Sequence, residues 1–227
     1  MSVEIRISFN EGVYLKNPQD SMLGRNIIKH SILLIDEIGF EVFNFKKLAQ
    51  EMGSTEASVY RYFENKHALL IYLVSWYWEW VAYLIKINTL NIDDPKRKLE
   101  IIINAFVLAS VTNPNTDYVD ENKLHNVVIA EGTKAYRTKD VDDENGKDFF
   151  KNYKQLINLV ADVILEINPS FEYPYSFASS LFEMSNDQIY FAKHLPKLTD
   201  IKIAENNYSE VEKMLNHFSA KILDYEH

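Results

Sequence analysis

Along most of this chain apolar side chains return every three or four residues, the spacing of helices that bury one face. The pattern predicts a first helix over Met22–Ile38, with Ile27, Ile28, Ser31, Leu34, Ile35 and Ile38 inward and Gly39 ending it. Asn44 has the side chain to cap a short second helix whose Leu48, Ala49 and Met52 share a face. Gly53 supplies the backbone freedom of a sharp turn, and Thr55 stands where it caps a third helix. Val59 and Phe63, four apart, turn inward there, which leaves Ala57, Ser58, Tyr60 and Arg61 outward. From Lys66 to about Leu90 a long helix is predicted. Of its 21 residues from His67 to Ile87, only His67, Ser75, Glu79 and Lys86 are strongly polar. That is long enough to span a membrane. Glu79 would then fall mid-span, however, and Trp76, Trp78 and Trp80 would sit centrally rather than at the interfaces. A helix apolar all round also suits the centre of a bundle, and that is the expectation.

Asp93-Asp94-Pro95 opens the next helix, Lys96 to about Thr112, with Leu99, Ile102, Ile103, Phe106 and Val107 inward, and Asn113-Pro114-Asn115 breaks it. Asp117 to Tyr136 is less regular, with two short helices at most, and Thr138 to Lys147 reads as a charged surface loop. A strong helix follows over Asp148–Ile167, with Phe149, Tyr153, Leu156, Val160 and Ile164 on one side and Pro169 as its stop. The last two helices run from about Tyr175 to His194 and from about Ser209 to Tyr225. Only the N-terminus departs from helical spacing. Val3, Ile5, Ile7 and Phe9 alternate with polar residues ahead of Asn10-Glu11-Gly12 and Val13-Tyr14-Leu15, the pattern of a short β-hairpin leaning on a neighbour. The expected fold is all-α with that hairpin: an arm over 1–20, a three-helix domain over 21–70 and a helical body over 71–227.

Composition narrows the function. The chain has 227 residues and a net charge of −9, which at first excludes a general nucleic-acid coat. Between Ser21 and Tyr72, however, six cations (Arg25, Lys29, Lys46, Lys47, Arg61, Lys66) meet six anions (Asp36, Glu37, Glu41, Glu51, Glu56, Glu64). The acidity therefore lies outside this segment, and a neutral head on an acidic body argues for a located DNA site. There is no cysteine, so disulfides, zinc fingers and thiol chemistry are excluded. The opening Met-Ser-Val-Glu-Ile-Arg-Ile-Ser lacks the apolar stretch of a signal peptide, and a cytoplasmic protein is expected. No Gly-rich phosphate loop, Gly-x-Ser-x-Gly elbow or His-Glu-x-x-His helix occurs, so no enzyme and no cofactor are expected. Glu121 and His125 are four apart, but one such pair makes a poor metal site, and none is assigned.

A short helix held by a partner and showing small, hydroxylated and guanidinium side chains suits the DNA major groove. At these positions the chain resembles the DNA-binding domain of the TetR family of bacterial transcription regulators. The match rests on Gly39-Phe40, Leu48-Ala49, Gly53, then Val59-Tyr60-x-Tyr62-Phe63-x-x-Lys66-x-x-Leu69-Leu70, and covers about Gly24 to Leu73. Ser54 stands for a usual valine, Phe45 extends an apolar position, and Glu56 is acidic where bases are read. The resemblance implies Ala57, Ser58, Tyr60 and Arg61 facing bases, and Arg25, Asn44, Lys46, Thr55, Tyr62 and Lys66 holding phosphates. It makes Lys66–Leu90 the connector to a ligand-binding body.

In that body Tyr72, Trp76, Glu79, Trp80, Tyr83, Asn104 and Phe106 are expected to line an apolar effector pocket, with plain packing as the competing reading. Glu79, on so apolar a helix, needs a partner: a cation from another helix or the polar end of an effector. Leu181, Met184, Gln188, Phe191, Met214 and Phe218 on the last two helices are the candidate dimer seam. The expected partners are an operator duplex, a second copy and a small apolar effector, with no membrane. The alternative is a helical ligand-carrying protein or enzyme whose head no longer reads DNA.

Overall fold

Among the described residues (11–109, 118–204 and 207–224 of a computed structural model), every regular element is helical, with no strand. In chain order the α-helices are α1 (Met22–Ile38), α2 (Phe45–Glu51), α3 (Glu56–Tyr60), α4 (Lys66–Asn88), α5 (Pro95–Leu108), α6 (Glu121–Glu131), α7 (Val141–Gly146), α8 (Lys151–Ile167), α9 (Pro174–His194) and α10 (Ser209–Ile222). By its contacts the chain divides into two compact units: Met1–Glu79 with Ser110–Asn152, and Trp80–Ala109 with Tyr153–His227.

In the first unit, Ser21 caps α1 by accepting from the Gly24 N–H at 3.0 Å, and Ile27, Ile28, Ile32 and Ile35 are buried along one face. Burying side chains of this size is worth about 1.5–3 kcal/mol each. α1 packs against α6 and against a 3-10 turn at Pro18–Asp20. Gly24 permits that last approach, since a Cβ there would stand 2.3 Å from the Pro18 carbonyl oxygen. Charged contacts reinforce the α1–α6 joint. Lys123 pairs with Asp36 at 3.0 Å, the Phe40 N–H donates to Glu131 at 3.0 Å, and Lys134 bridges Glu131 and Glu41 at 2.7 Å each. On α4, Leu69 through Trp78 is buried without a break, and Phe63 packs edge-on against Tyr72. The helix is long and apolar enough to cross a membrane, yet 78% of its most apolar 18-residue window is buried inside the protein.

The second unit packs α5 against α9 and α10, and α9 against α10. Phe106 meets Phe182 edge-on at 5.3 Å, and Leu99, Ile102, Leu156, Val160, Ile164, Leu181 and Leu215 complete its core. Lys98 and Glu166 close an ion pair between α5 and α8.

Several expectations are corrected. Glu11–Val13 forms a 3-10 turn and Tyr14 and Leu15 no strand, so the second arm of the β-hairpin is absent; Val3–Asn10 lies outside the described residues. The Leu15 N–H goes to the Tyr62 carbonyl at 2.8 Å, which ties this stretch to the end of α3 rather than to a sister strand. Within the expected charged loop, Val141–Gly146 is helical, because Glu144 turns inward to meet His67 at 2.8 Å.

Candidate nucleic-acid interface

The local structure around α2 and α3 begins with the Asn44 cap, whose Oδ1 accepts from the Lys47 N–H at 2.9 Å. Phe45, Leu48 and Ala49 bury the inner face of α2. Gly53 turns the chain at φ 61°, a conformation open to glycine at little cost, and the Ser54 N–H returns to the Ala49 carbonyl at 2.8 Å. α3 is short. Val59 is buried on it, and Phe63 is buried just beyond its end.

Its outward surface is not the expected one throughout. Ser58 is buried, its hydroxyl donating to the Thr55 carbonyl at 2.6 Å and sharing a hydrogen bond with Ser54. Thr55 stands at the cap position, but its side chain makes no capping bond; the Ser58 hydroxyl serves the turn instead. The exposed residues are Thr55, Glu56, Ala57, Tyr60 and Arg61. Phe45, one of the three positions that depart from the family pattern, holds the Tyr60 ring edge-on at 5.0 Å. The aromatic handle on α3 is therefore set by a residue of α2.

Two residues expected on phosphates have work inside the fold. Lys66 directs its ammonium at the carbonyls of Phe40, Glu41 and Phe43, at 3.0, 3.2 and 3.2 Å, and lies 4.7 Å from the centroid of the Phe40 ring. It closes three carbonyls after α1, so its donors are spent there. Tyr62 is buried and shares a hydrogen bond of 2.8 Å with Ser21, the cap of α1. Arg25 donates to the Gln19 carbonyl at 2.9 Å, while Lys46 is exposed at the start of α2.

The residues expected around an effector fall in both units, Tyr72, Trp76 and Glu79 in the first and Trp80, Tyr83, Asn104 and Phe106 in the second. In the first unit Tyr72 and Trp76 are fully buried, and burial pushes the Tyr72 phenol well above its ordinary pKa. Among the described residues Glu79 meets no cation: its Oε2 accepts from the Asn152 amide at 3.1 Å. A neutral, buried amide answers the carboxylate from 73 residues along the chain, where charge pairing does not reveal it. In the second unit Trp80 stacks on Tyr83 at 5.7 Å, Phe106 is fully buried, and Asn104 is half-buried. A cavity of about 330 Å3 in the first unit is lined by Val13, Glu64, His67, Asp143, Glu144 and Phe149 among others. A groove of about 800 Å3 in the second lies between the end of α4, α5 and α8, beside Leu90, Lys98, Leu159 and Glu166. Neither takes in the expected pocket residues.

On α9 and α10, Leu181 is buried in the core of its unit, while Met184, Gln188, Phe191 and Met214 are half-buried and Phe218 is exposed. Glu121 and His125 are both buried on α6, with His125 stacked on Tyr77 at 5.6 Å.

The sequence model of the bacterial regulatory proteins of the tetR family matches residues 27–73, the span from α1 into α4. No curated protein sequence matches the chain. Among solved structures, the fatty acid degradation regulator FadR from Bacillus halodurans is similar with a TM-score of 0.63 at 18% identity, over 91% of this chain and 98% of that one. AibR, solved in complex with isovaleryl coenzyme A and operator DNA, gives 0.58 at 13% identity over 86% and 97%. The ketosteroid transcriptional regulator KstR2 of Mycobacterium tuberculosis gives 0.54 at 13% over 90% and 94%. At such identities the likeness is one of fold. Residues 27–73 thus match the N-terminal segment of the bacterial regulatory proteins of the tetR family, within a chain whose fold is similar to that of these solved regulators.

Proposed function

We propose that this chain is a DNA-binding transcriptional repressor that grips a palindromic operator as a homodimer and lets go when a small apolar effector binds. The observation that carries the reading is the exposed face of α3, which presents Ala57, Tyr60 and Arg61 within the segment that matches the family. α2 and α3 act as a helix-turn-helix: α2 lies across the backbone and α3 enters the major groove. Ala57 allows close approach, and Arg61, exposed and in no ion pair among the described residues, can fork onto guanine O6 and N7. Tyr60 reaches a base or a phosphate from its perch on Phe45. Lys46, the Thr55 hydroxyl and the Asn44 amide are left to meet phosphates, whereas Lys66, Tyr62 and Ser58 support the frame.

One short helix reads few base pairs, so two copies are required, with half-sites about 34–36 Å apart or a multiple of that. Met184, Gln188, Phe191, Met214 and Phe218, not consumed by their own core, are the surface for that pairing. A small-molecule effector is in keeping with AibR, whose complex holds isovaleryl coenzyme A alongside operator DNA. Release needs an effector that prefers the state with poorer DNA fit. A gel shift on the DNA upstream of the chain's own gene, with random duplex as competitor, tests the reading. A complex that survives excess competitor supports it, and one titrated away equally by random DNA refutes it.

A further inference from the structure

We infer that Glu56 selects cytosine within the half-site by accepting a hydrogen bond from the exocyclic N4 amine in the major groove. The inference rests on the DNA-binding reading above and adds a base to it. Glu56 is the first residue of α3, it is exposed, and it joins no ion pair or side-chain hydrogen bond among the described residues. It shares the outward surface with Ala57, Tyr60 and Arg61, and Tyr60, one helical turn on, is fixed against Phe45. A helix that lays Tyr60 and Arg61 on bases therefore brings this carboxylate into the groove with them.

A carboxylate in that position faces repulsion from the phosphates and loses hydration, so it is tolerated only where a donor meets it. The major groove offers two kinds of donor, the N4 amine of cytosine and the N6 amine of adenine. Adenine sets its N7 acceptor beside N6, which repels a second acceptor; cytosine presents its amine with no acceptor of its own. Guanine and thymine show the carboxylate only acceptors and a methyl group. Glu56 and Arg61 are five residues apart, about 7.5 Å along a helix axis. That exceeds the base step of about 3.4 Å, so the two address different base pairs. An acidic residue in a first turn also favours the helix dipole, and a role confined to that would alter stability but not base choice.

The test is selection from a randomised duplex library by the full-length chain and by Glu56→Gln and Glu56→Ala, with thermal unfolding of all three. The unaltered chain is expected to enrich a two-fold symmetric site with cytosine at one position of each half-site, about tenfold over other bases. Glu56→Gln should move that position to adenine, because an amide pairs with N6 and N7 together. Glu56→Ala should lose the preference there and keep the rest of the site. Base preferences unchanged in both variants, with or without a lower melting temperature, overturn the inference and leave the DNA-binding reading standing. If the unaltered chain enriches no site at all, the reading beneath it falls as well.

Discussion

Lys66 separates a structural role from an electrostatic one, and Lys66→Met is the substitution that does so while keeping the apolar stem. The ammonium donates to three carbonyls, of which those of Phe40 and Phe43 are partly buried and that of Glu41 is exposed. Water replaces the ammonium at Glu41 at little cost. The other two lose a charged donor, worth about 1 kcal/mol apiece after discounting for their partial exposure. Loss of the cation at 4.7 Å from the Phe40 ring adds about 0.5–1 kcal/mol. The total is about 3 kcal/mol, which in a chain of this size lowers Tm by about 6–12 °C. Circular dichroism gives the melting temperature, and DNA titration at several salt concentrations gives the slope of affinity against salt. The expected result is a lower Tm with the slope unchanged. An unchanged Tm with a slope reduced by about one unit would show Lys66 on a phosphate and refute the reasoning.

Gly24→Ala drives a methyl group into the Pro18 backbone, where a Cβ would stand 2.3 Å from the carbonyl oxygen; it should cost more than about 2 kcal/mol by denaturant unfolding. Lys134→Gln tests the α1–α6 joint against pH. Hydrogen bonding to Lys134 holds the Glu41 carboxyl below its ordinary 4.5, and hydrogen bonding to Glu131 and then Glu41 holds the Lys134 ammonium above its ordinary 10.5. The carboxylate's contribution is therefore present above pH 4.5 and lost as pH falls through the lowered value, and the ammonium's is present below pH 10.5 and lost as pH rises through the raised one. The variant should melt below the unaltered chain at neutral pH, with the gap closing in acid; a constant gap down to pH 3 would count against the pairing. Phe191→Asp, at a half-buried site on α9, should halve the mass seen by light scattering from about twice 26.5 kDa and abolish operator binding without loss of helicity.

What could be read from the sequence was what depends on near neighbours. Asn44 caps its helix through a bond three residues away, Ile27, Ile28 and Ile35 repeat within one helix, and Gly53 turns where a positive φ is needed. What escaped depends on partners far along the chain. Lys66 finds carbonyls 23 to 26 residues earlier, and Tyr62 finds Ser21 from 41 residues on. Both residues carry the chemistry of phosphate binding, and only folding shows that their donors are already engaged. The charge of the 138–147 stretch masked a helix because burial of Glu144 depends on His67, 77 residues away. Ser58 sat on the outward side of an ideal helical wheel, but the tight turn at Thr55 draws its hydroxyl inward.

The central claim is that the exposed face of α3 reads a particular DNA sequence, and Arg61 is the residue on which it turns. Fluorescence anisotropy with the upstream operator and with a scrambled duplex, for the unaltered chain and Arg61→Ala, measures it directly. The account predicts that Arg61→Ala weakens operator binding by about 1–3 kcal/mol and leaves binding to the scrambled duplex nearly unchanged. Equal losses on both duplexes, or no loss on either, would contradict it.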